Sequence, residues 1–169
     1  MIHTEKEITK RLSVLAGLEV SGVSRAADML TLQFGPLAPR VSRRGVTKLL
    51  GAWALHIQCP WRIESAGTIY AGKSDLSEQG NESTETAKLM YDKVTALFDG
   101  ASKAAGATSP GGVVVLAVRA DEFGGVWITL SEGFRLVIFP DGTKSEAWRF
   151  FSSESNEKHL VVEGGVVDA

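Results

Sequence analysis

The clearest pattern in the chain is an alternation of apolar and polar residues over 51–64. One set of alternate positions is apolar throughout: Trp53, Leu55, Ile57, Cys59, Trp61 and Ile63. The intervening set is mostly polar: Ala54, His56, Gln58, Arg62 and Glu64. Because successive side chains of a strand point to opposite faces of a sheet, this pattern predicts one core face and one polar face. Pro60 cannot donate a ladder hydrogen bond, so it indicates an edge position, a bulge or a break between two strands.

Two further segments have the spacing of amphipathic helices. Ile8, Leu12 and Leu15 predict a helix over 5–16, and a second apolar stripe that includes Met90 and Val94 predicts a helix over 84–100. Strand-like runs occupy 18–24, 29–35 and 67–71, and then 113–120, 126–130, 135–139, 147–151 and 159–163. Short turns separate the last five runs, and turns of this length join antiparallel neighbours, so we expect a C-terminal β-meander over 113–163.

Together these elements predict an α+β fold. We expect a largely antiparallel twisted sheet of about seven to nine strands, which could close partly into a barrel, with two amphipathic helices packed on it. The chain has 169 residues, which is within the usual range for one domain, so we interpret 1–169 as a single domain.

Composition and charge restrict the classes of function. Hydrophobic residues make up 44% and charged residues 22%, as in ordinary globular proteins, and the formal net charge is −2. Nucleic acid is therefore not an expected partner, and we interpret the one basic cluster, at Arg40, Arg43, Arg44 and Lys48, as a solvated loop. The longest apolar stretch, 113–118, is too short to span a membrane and the N-terminus has no signal pattern, so we expect a cytoplasmic protein.

His56 and Cys59 invite a catalytic or metal-binding interpretation that their spacing opposes. Positions three apart on a strand point to opposite faces, and Cys59 falls on the apolar side, where a free cysteine behaves as a small hydrophobe. A structural zinc site generally needs four Cys or His ligands, and the chain contains one Cys and three His. We therefore expect no metal and no cofactor.

Several polar residues are candidates for a binding site. A Trp-Arg pair occurs twice, at 61–62 and 148–149, and two arginines emerging on a polar sheet face could flank an anionic ligand. The ordinary alternative is a pair of sheet arginines matched by carboxylates. Glu146 with Asp75, His56 or His159 could also form an acid–base set, although no spacing brings these residues together. The candidate binding residues are His56, Gln58, Arg62, Asp75, Glu146 and Arg149.

The segments LHIQCPWRI at 55–63 and EAWRF at 146–150 resemble those of a family of small bacterial proteins of unknown function. The similarity extends over most of the chain and includes 25–28, 72–75 and 159–162. The resemblance implies a cytosolic bacterial domain and carries no activity or site residues.

No motif for a phosphate-binding loop, a nucleophile elbow, a zinc protease or a paired-aromatic RNA-binding sheet occurs in the sequence. Our leading hypothesis is a non-catalytic cytosolic binding module, for example an immunity protein, that takes a protein partner or a small anionic ligand on the polar sheet face. The alternative is a small-molecule-binding protein or an enzyme that acts on an anionic ligand through His56, Arg62 and Glu146. A third hypothesis is nucleic-acid binding through the basic cluster.

Overall fold

Antiparallel strands form most of the chain in a computed structural model, which describes residues 3–41, 44–76, 83–98 and 112–168. The strands are β1 (Val20–Ala26), β2 (Met29–Phe34), β3 (Ala38–Val41), β4 (Thr47–Leu50), β5 (Trp53–Ile57), β6 (Trp61–Ser65), β7 (Thr68–Gly72), β8 (Val115–Ala120), β9 (Val126–Leu130), β10 (Phe134–Ile138), β11 (Glu146–Ser152), β12 (Leu160–Glu163) and β13 (Val166–Asp168). The helices are α1 (Thr4–Leu12), continued by a 3₁₀ turn at Ser13–Leu15, and α2 (Ser83–Phe98). Of the predicted helix over 84–100, the last two residues lie outside the described residues.

The described strands form three antiparallel sheets. A six-stranded sheet has the order β1-β2-β5-β11-β12-β13, a five-stranded sheet has the order β7-β6-β10-β9-β8, and β3 and β4 form a separate hairpin. The predicted antiparallel α+β class is confirmed. The expected seven to nine strands were too few, since the described residues alone contain 13, and these sheets do not close into a barrel.

The strands missing from the prediction lie in polar or terminal segments. The segment interpreted as a solvated basic loop contains the β3–β4 hairpin, in which Arg40 is paired with Lys48. Arg43 lies outside the described residues. β13 follows β12 through a Gly-Gly turn at the end of the chain. Neither hairpin strand has a buried residue, so the alternation that identifies a core-facing strand is absent there.

Pro60 stands where the chain passes from one sheet to the other. β5 belongs to the six-stranded sheet and β6 to the five-stranded sheet. The amide N–H groups of Gln58 and Cys59 both donate to the carbonyl of Ala147, at 2.8 and 3.0 Å, and this holds the corner against β11. Trp61 remains on the core side, with 5% of its surface exposed, so the alternation keeps its phase across the corner.

Both sheets contribute to one hydrophobic cluster, which α1 covers with Ile8 and Leu12. The indole N–H of the fully buried Trp148 donates to the carbonyl of Gly124 at 2.8 Å and so ties β11 to the β8–β9 turn. The predicted C-terminal meander falls into two parts, because β8, β9 and β10 lie in one sheet and β11, β12 and β13 in the other. Within the described ranges, neither helix is long and apolar enough to cross a membrane.

Candidate functional site

A groove of about 870 Å³ crosses the outer, polar face of the six-stranded sheet. Residues of β5, β11 and β12 form its floor, and the β3–β4 hairpin and the segment 152–158 form its walls. Its polar and aromatic floor residues are His56, Gln58, Glu146, Arg149, Phe151 and His159. Below, we call these six residues the groove cluster.

Strand register places the cluster on one face. Arg149 on β11 is directly opposite His56 on β5 and Val161 on β12, so the side chains of these three residues share a face. Gln58 lies just beyond the end of β5, and its side-chain nitrogen donates to Oε1 of Glu146 at 3.2 Å. The cluster is therefore assembled from β5, β11 and the residues Gln58 and His159 that adjoin the ends of β5 and β12.

An ion pair between Arg149 and Glu146 forms the centre of the cluster. Nε of the arginine donates to Oε1 at 2.7 Å and NH2 donates to Oε2 at 2.5 Å, while NH1 lies 3.4 Å from Nδ1 of His159. Because a guanidinium has no acceptor, Nδ1 of His159 is the acceptor in that contact. The hydrogen bonds from Arg149 lower the pKa of Glu146 despite its partial burial, and Glu146 in turn raises the pKa of Arg149. Both groups are charged at neutral pH.

Three rings pack beside this ion pair. Phe151 stacks on His159, with centroids 4.3 Å apart and planes at 13°, and His56 meets Phe151 edge-on at 4.9 Å. Burial lowers the pKa of His56 below its usual value, and the positive charge of Arg149 lowers it further against the opposing effect of Glu146. His56 is consequently a neutral imidazole at neutral pH.

The other cations that line the groove also contact carboxylates of the same chain. NH2 of Arg40 lies 2.8 Å from Glu154, and Nζ of Lys158 lies 2.9 Å from Asp168. With Arg149, three positive groups of the groove are thus matched internally. An anionic ligand would have to displace one of these carboxylates or share its cation.

The structure brings together four of the six candidate binding residues and separates the other two. His56, Gln58, Glu146 and Arg149 line the groove. Arg62 lies on β6 in the other sheet, 2.7 Å from Glu64, and Asp75 accepts a hydrogen bond from the amide of Gly72 at 2.8 Å. His56, Arg62 and Glu146 therefore do not form one site, because the corner at Pro60 sends Arg62 to a different sheet.

Cys59 lies on the core side of the corner, as the alternation predicted. It is 6% exposed, and burial raises the pKa of its thiol to about 12. Within the described residues, no group of three His, Cys, Asp or Glu side chains is arranged to hold a metal ion.

Sequence reasoning left Phe151, His159 and Arg40 out of the candidate set. Phe151 is apolar and ends the predicted strand at 147–151, so it was not among the polar candidates; the structure buries Phe150 fully and Phe151 only partly. His159 was considered for an acid–base set, but nothing in its spacing connects it with Arg149. Arg40 lines the groove because it lies on the β3–β4 hairpin, which the residue pattern of this segment did not predict.

Comparison of the chain with models of known protein families, with curated proteins and with solved structures finds no match.

Proposed function

We propose that this protein is a non-catalytic binding module and that the groove on its six-stranded sheet receives a segment of a protein partner. The observation that carries the proposal is the groove cluster, in which an internally matched ion pair and three packed rings are held on a sheet face. Side chains fixed by each other lose little conformational entropy when a partner binds. An immunity protein, which acts by binding alone, is one form of such a module.

Binding is favoured over catalysis by the state of the ionisable groups. Glu146 accepts hydrogen bonds from both Arg149 and Gln58, so it is a poor general base. The thiol of Cys59 is buried on the opposite side of the strand, away from the groove. The groups present in the groove are suited to hydrogen bonding and ring contacts.

A polypeptide is favoured over a small anion by the charges and by the surroundings of the groove. The three lining cations already have carboxylate partners, which weakens the attraction for a free anion. The β3–β4 hairpin exposes Val41, which lines the groove, and Leu49, and the two residues are 72% and 64% accessible. Apolar contacts next to a polar, aromatic floor are typical of protein interfaces.

Site-specific photo-crosslinking tests this proposal. A benzophenone amino acid replaces Ser153 in the groove wall, and a matched variant carries the same group at Lys10, which is exposed on α1. In lysate of the native cell, we expect one stoichiometric protein adduct from position 153 and none from position 10. Excess unlabelled wild-type protein should abolish the adduct, whereas excess Arg149→Ala protein should compete at least about tenfold less well. No adduct at position 153, or equal competition by both proteins, would refute the proposal.

A further inference from the structure

The outer face of the five-stranded sheet carries a second organised group of polar residues. Strand register places Arg62, Val137, Trp127 and Arg119 in one line across β6, β10, β9 and β8. The neighbouring line contains Glu64 and Arg135, which are directly opposite each other. We call Arg62, Arg119, Arg135, Trp127 and Glu64 the arginine face.

Glu64 holds two of these arginines in fixed positions. Nε and NH2 of Arg62 both lie 2.7 Å from Oε2, and Nε and NH2 of Arg135 lie 2.7 and 2.6 Å from Oε1. The arginine side chains are 51% and 48% exposed, whereas that of Glu64 is 20% exposed. A single carboxylate thus orients two guanidiniums, and the three groups together keep one positive charge. The remaining N–H groups of the two arginines are available to solvent or a ligand.

The third arginine forms part of a stacking platform. The guanidinium of Arg119 lies over the indole of Trp127, 4.3 Å from the ring centroid. Val137, between Arg62 and Trp127 in the register, is 6% exposed although it lies on the outer face of β10. The arginine face therefore presents three guanidiniums and an indole across four neighbouring strands, about 14 Å wide at the usual strand spacing.

A recess lies beside the arginine face, and Glu64 is the one carboxylate on the described strands of this sheet face. A cavity of about 470 Å³ lies beside Arg62 and Arg135 and is bounded by the β6–β7 turn. The nearby carboxylates of Asp121, Glu122 and Glu132 lie in the turns at the ends of β8, β9 and β10 rather than on the strands. Asp121 is also engaged by the amides of Phe123 and Gly125.

We propose that the arginine face binds single-stranded nucleic acid. Guanidiniums with free N–H groups bind phosphate bidentately, and an Arg–Trp stack offers a π-surface to an unpaired base. A flat sheet face without a projecting helix or ribbon does not enter a duplex groove, so a double strand would meet only the charges. An acidic peptide would use the arginines but not the aromatic platform. The net charge of −2 made nucleic acid an unexpected partner. Attraction of phosphate depends on the local charge, however, and positive charge is concentrated on the arginine face.

Fluorescence anisotropy with a labelled oligothymidine tests the proposal. At about 20 mM salt we expect saturable binding that weakens as salt is raised, with a slope of log affinity against log salt of about −2 for three phosphate contacts. The double variant Arg62→Ala/Arg135→Ala should bind at least about tenfold more weakly, with a slope of about −0.7. Arg119→Ala leaves the Glu64 pair intact and should also weaken binding. Lys10→Ala, an exposed cation on α1, serves as the matched control and should bind like the wild type.

Tryptophan fluorescence separates nucleic acid from an acidic peptide. A base that stacks on the Arg119–Trp127 pair should quench the emission of Trp127, and Trp127→Phe should remove that quenching, whereas polyglutamate should leave the emission unchanged. Circular dichroism confirms that each variant is folded. The proposal is overturned by any of three results: no binding at low salt, equal affinity for a duplex or for polyglutamate, or folded variants that bind like the wild type.

Discussion

Arg149 and Glu146 lie three residues apart on β11 and nevertheless meet on the same face in a side-on ion pair. On a regular strand, positions three apart point to opposite faces. The pairing of β11 with β12 shifts register between Glu146 and Trp148, so one extra residue is accommodated there and the consecutive residues Ala147 and Trp148 are both buried. This bulge turns Glu146 towards Arg149 and creates the centre of the groove cluster.

Replacement of Glu146 by glutamine tests the stabilising effect of the ion pair. The neutral amide keeps the size of the side chain but leaves the guanidinium of Arg149, 36% exposed, without its carboxylate. We expect a loss of about 1 kcal/mol in the free energy of unfolding, measured by urea denaturation at pH 7. Glu122→Gln, at an exposed turn, is the matched control and should change stability by less than about 0.5 kcal/mol.

The same variant also gives a dependence on pH. The pKa of Glu146 is lower in the folded protein than its ordinary value of 4.5, so the unfolded chain takes up the proton first as the pH falls. The wild type should be more stable than Glu146→Gln at neutral pH, and this difference should shrink below pH 4.5. A difference that stays constant down to pH 3 would contradict the assignment of the effect to the carboxylate charge.

His56 should make the protein less stable in mildly acidic solution. Burial, and then the charge of Arg149, lower the pKa of His56 below 6.5 in the folded state. Around and below pH 6.5, the unfolded chain therefore binds more protons at this residue than the folded chain does. We expect the free energy of unfolding to fall from pH 7 to pH 5.5, and to fall less in His56→Gln. His3→Gln, near the N-terminus, provides the control. Parallel pH profiles for wild type and His56→Gln would rule out this role.

The thiol of Cys59 should be inert in the native protein. Its pKa of about 12 and its 6% exposure leave almost no accessible thiolate at pH 8. We expect reaction with Ellman's reagent to be at least about a hundredfold slower in buffer than in denaturing urea. Rapid stoichiometric reaction of the folded protein would show that the corner at Pro60 opens readily.

Gly51 lies where β4 leads into β5 and has no room for a side chain. A Cβ at this position would lie 2.4 Å from the carbonyl oxygen of Phe34. The amide of Gly51 also donates to the side chain of Gln33 at 3.1 Å. Gly51→Ala should therefore destabilise the fold by more than about 2 kcal/mol in urea denaturation. At Gly22, in contrast, a Cβ would meet Gln33 at an ordinary 3.6 Å, and Gly22→Ala should cost less than about 1 kcal/mol.

The alternation over 51–64 correctly separated core from outer positions, including Cys59 from His56. The helices and most strands were also predicted from local periodicity, and 126–130 matches β9 residue for residue. Three strands were missed because the β3–β4 hairpin is exposed and β13 is short, so neither leaves a strong apolar pattern.

The order of apolar and polar residues along the chain is enough to predict which side of each strand or helix faces the core, because that choice is local. Which outer faces lie together depends on how the strands pair in the folded protein. The corner at Pro60 assigned His56 and Arg62 to different sheets, and the bulge in β11 turned Glu146 to the side of Arg149. Both outcomes follow from pairing between strands far apart in the chain, and that pairing cannot be predicted from local residue spacing.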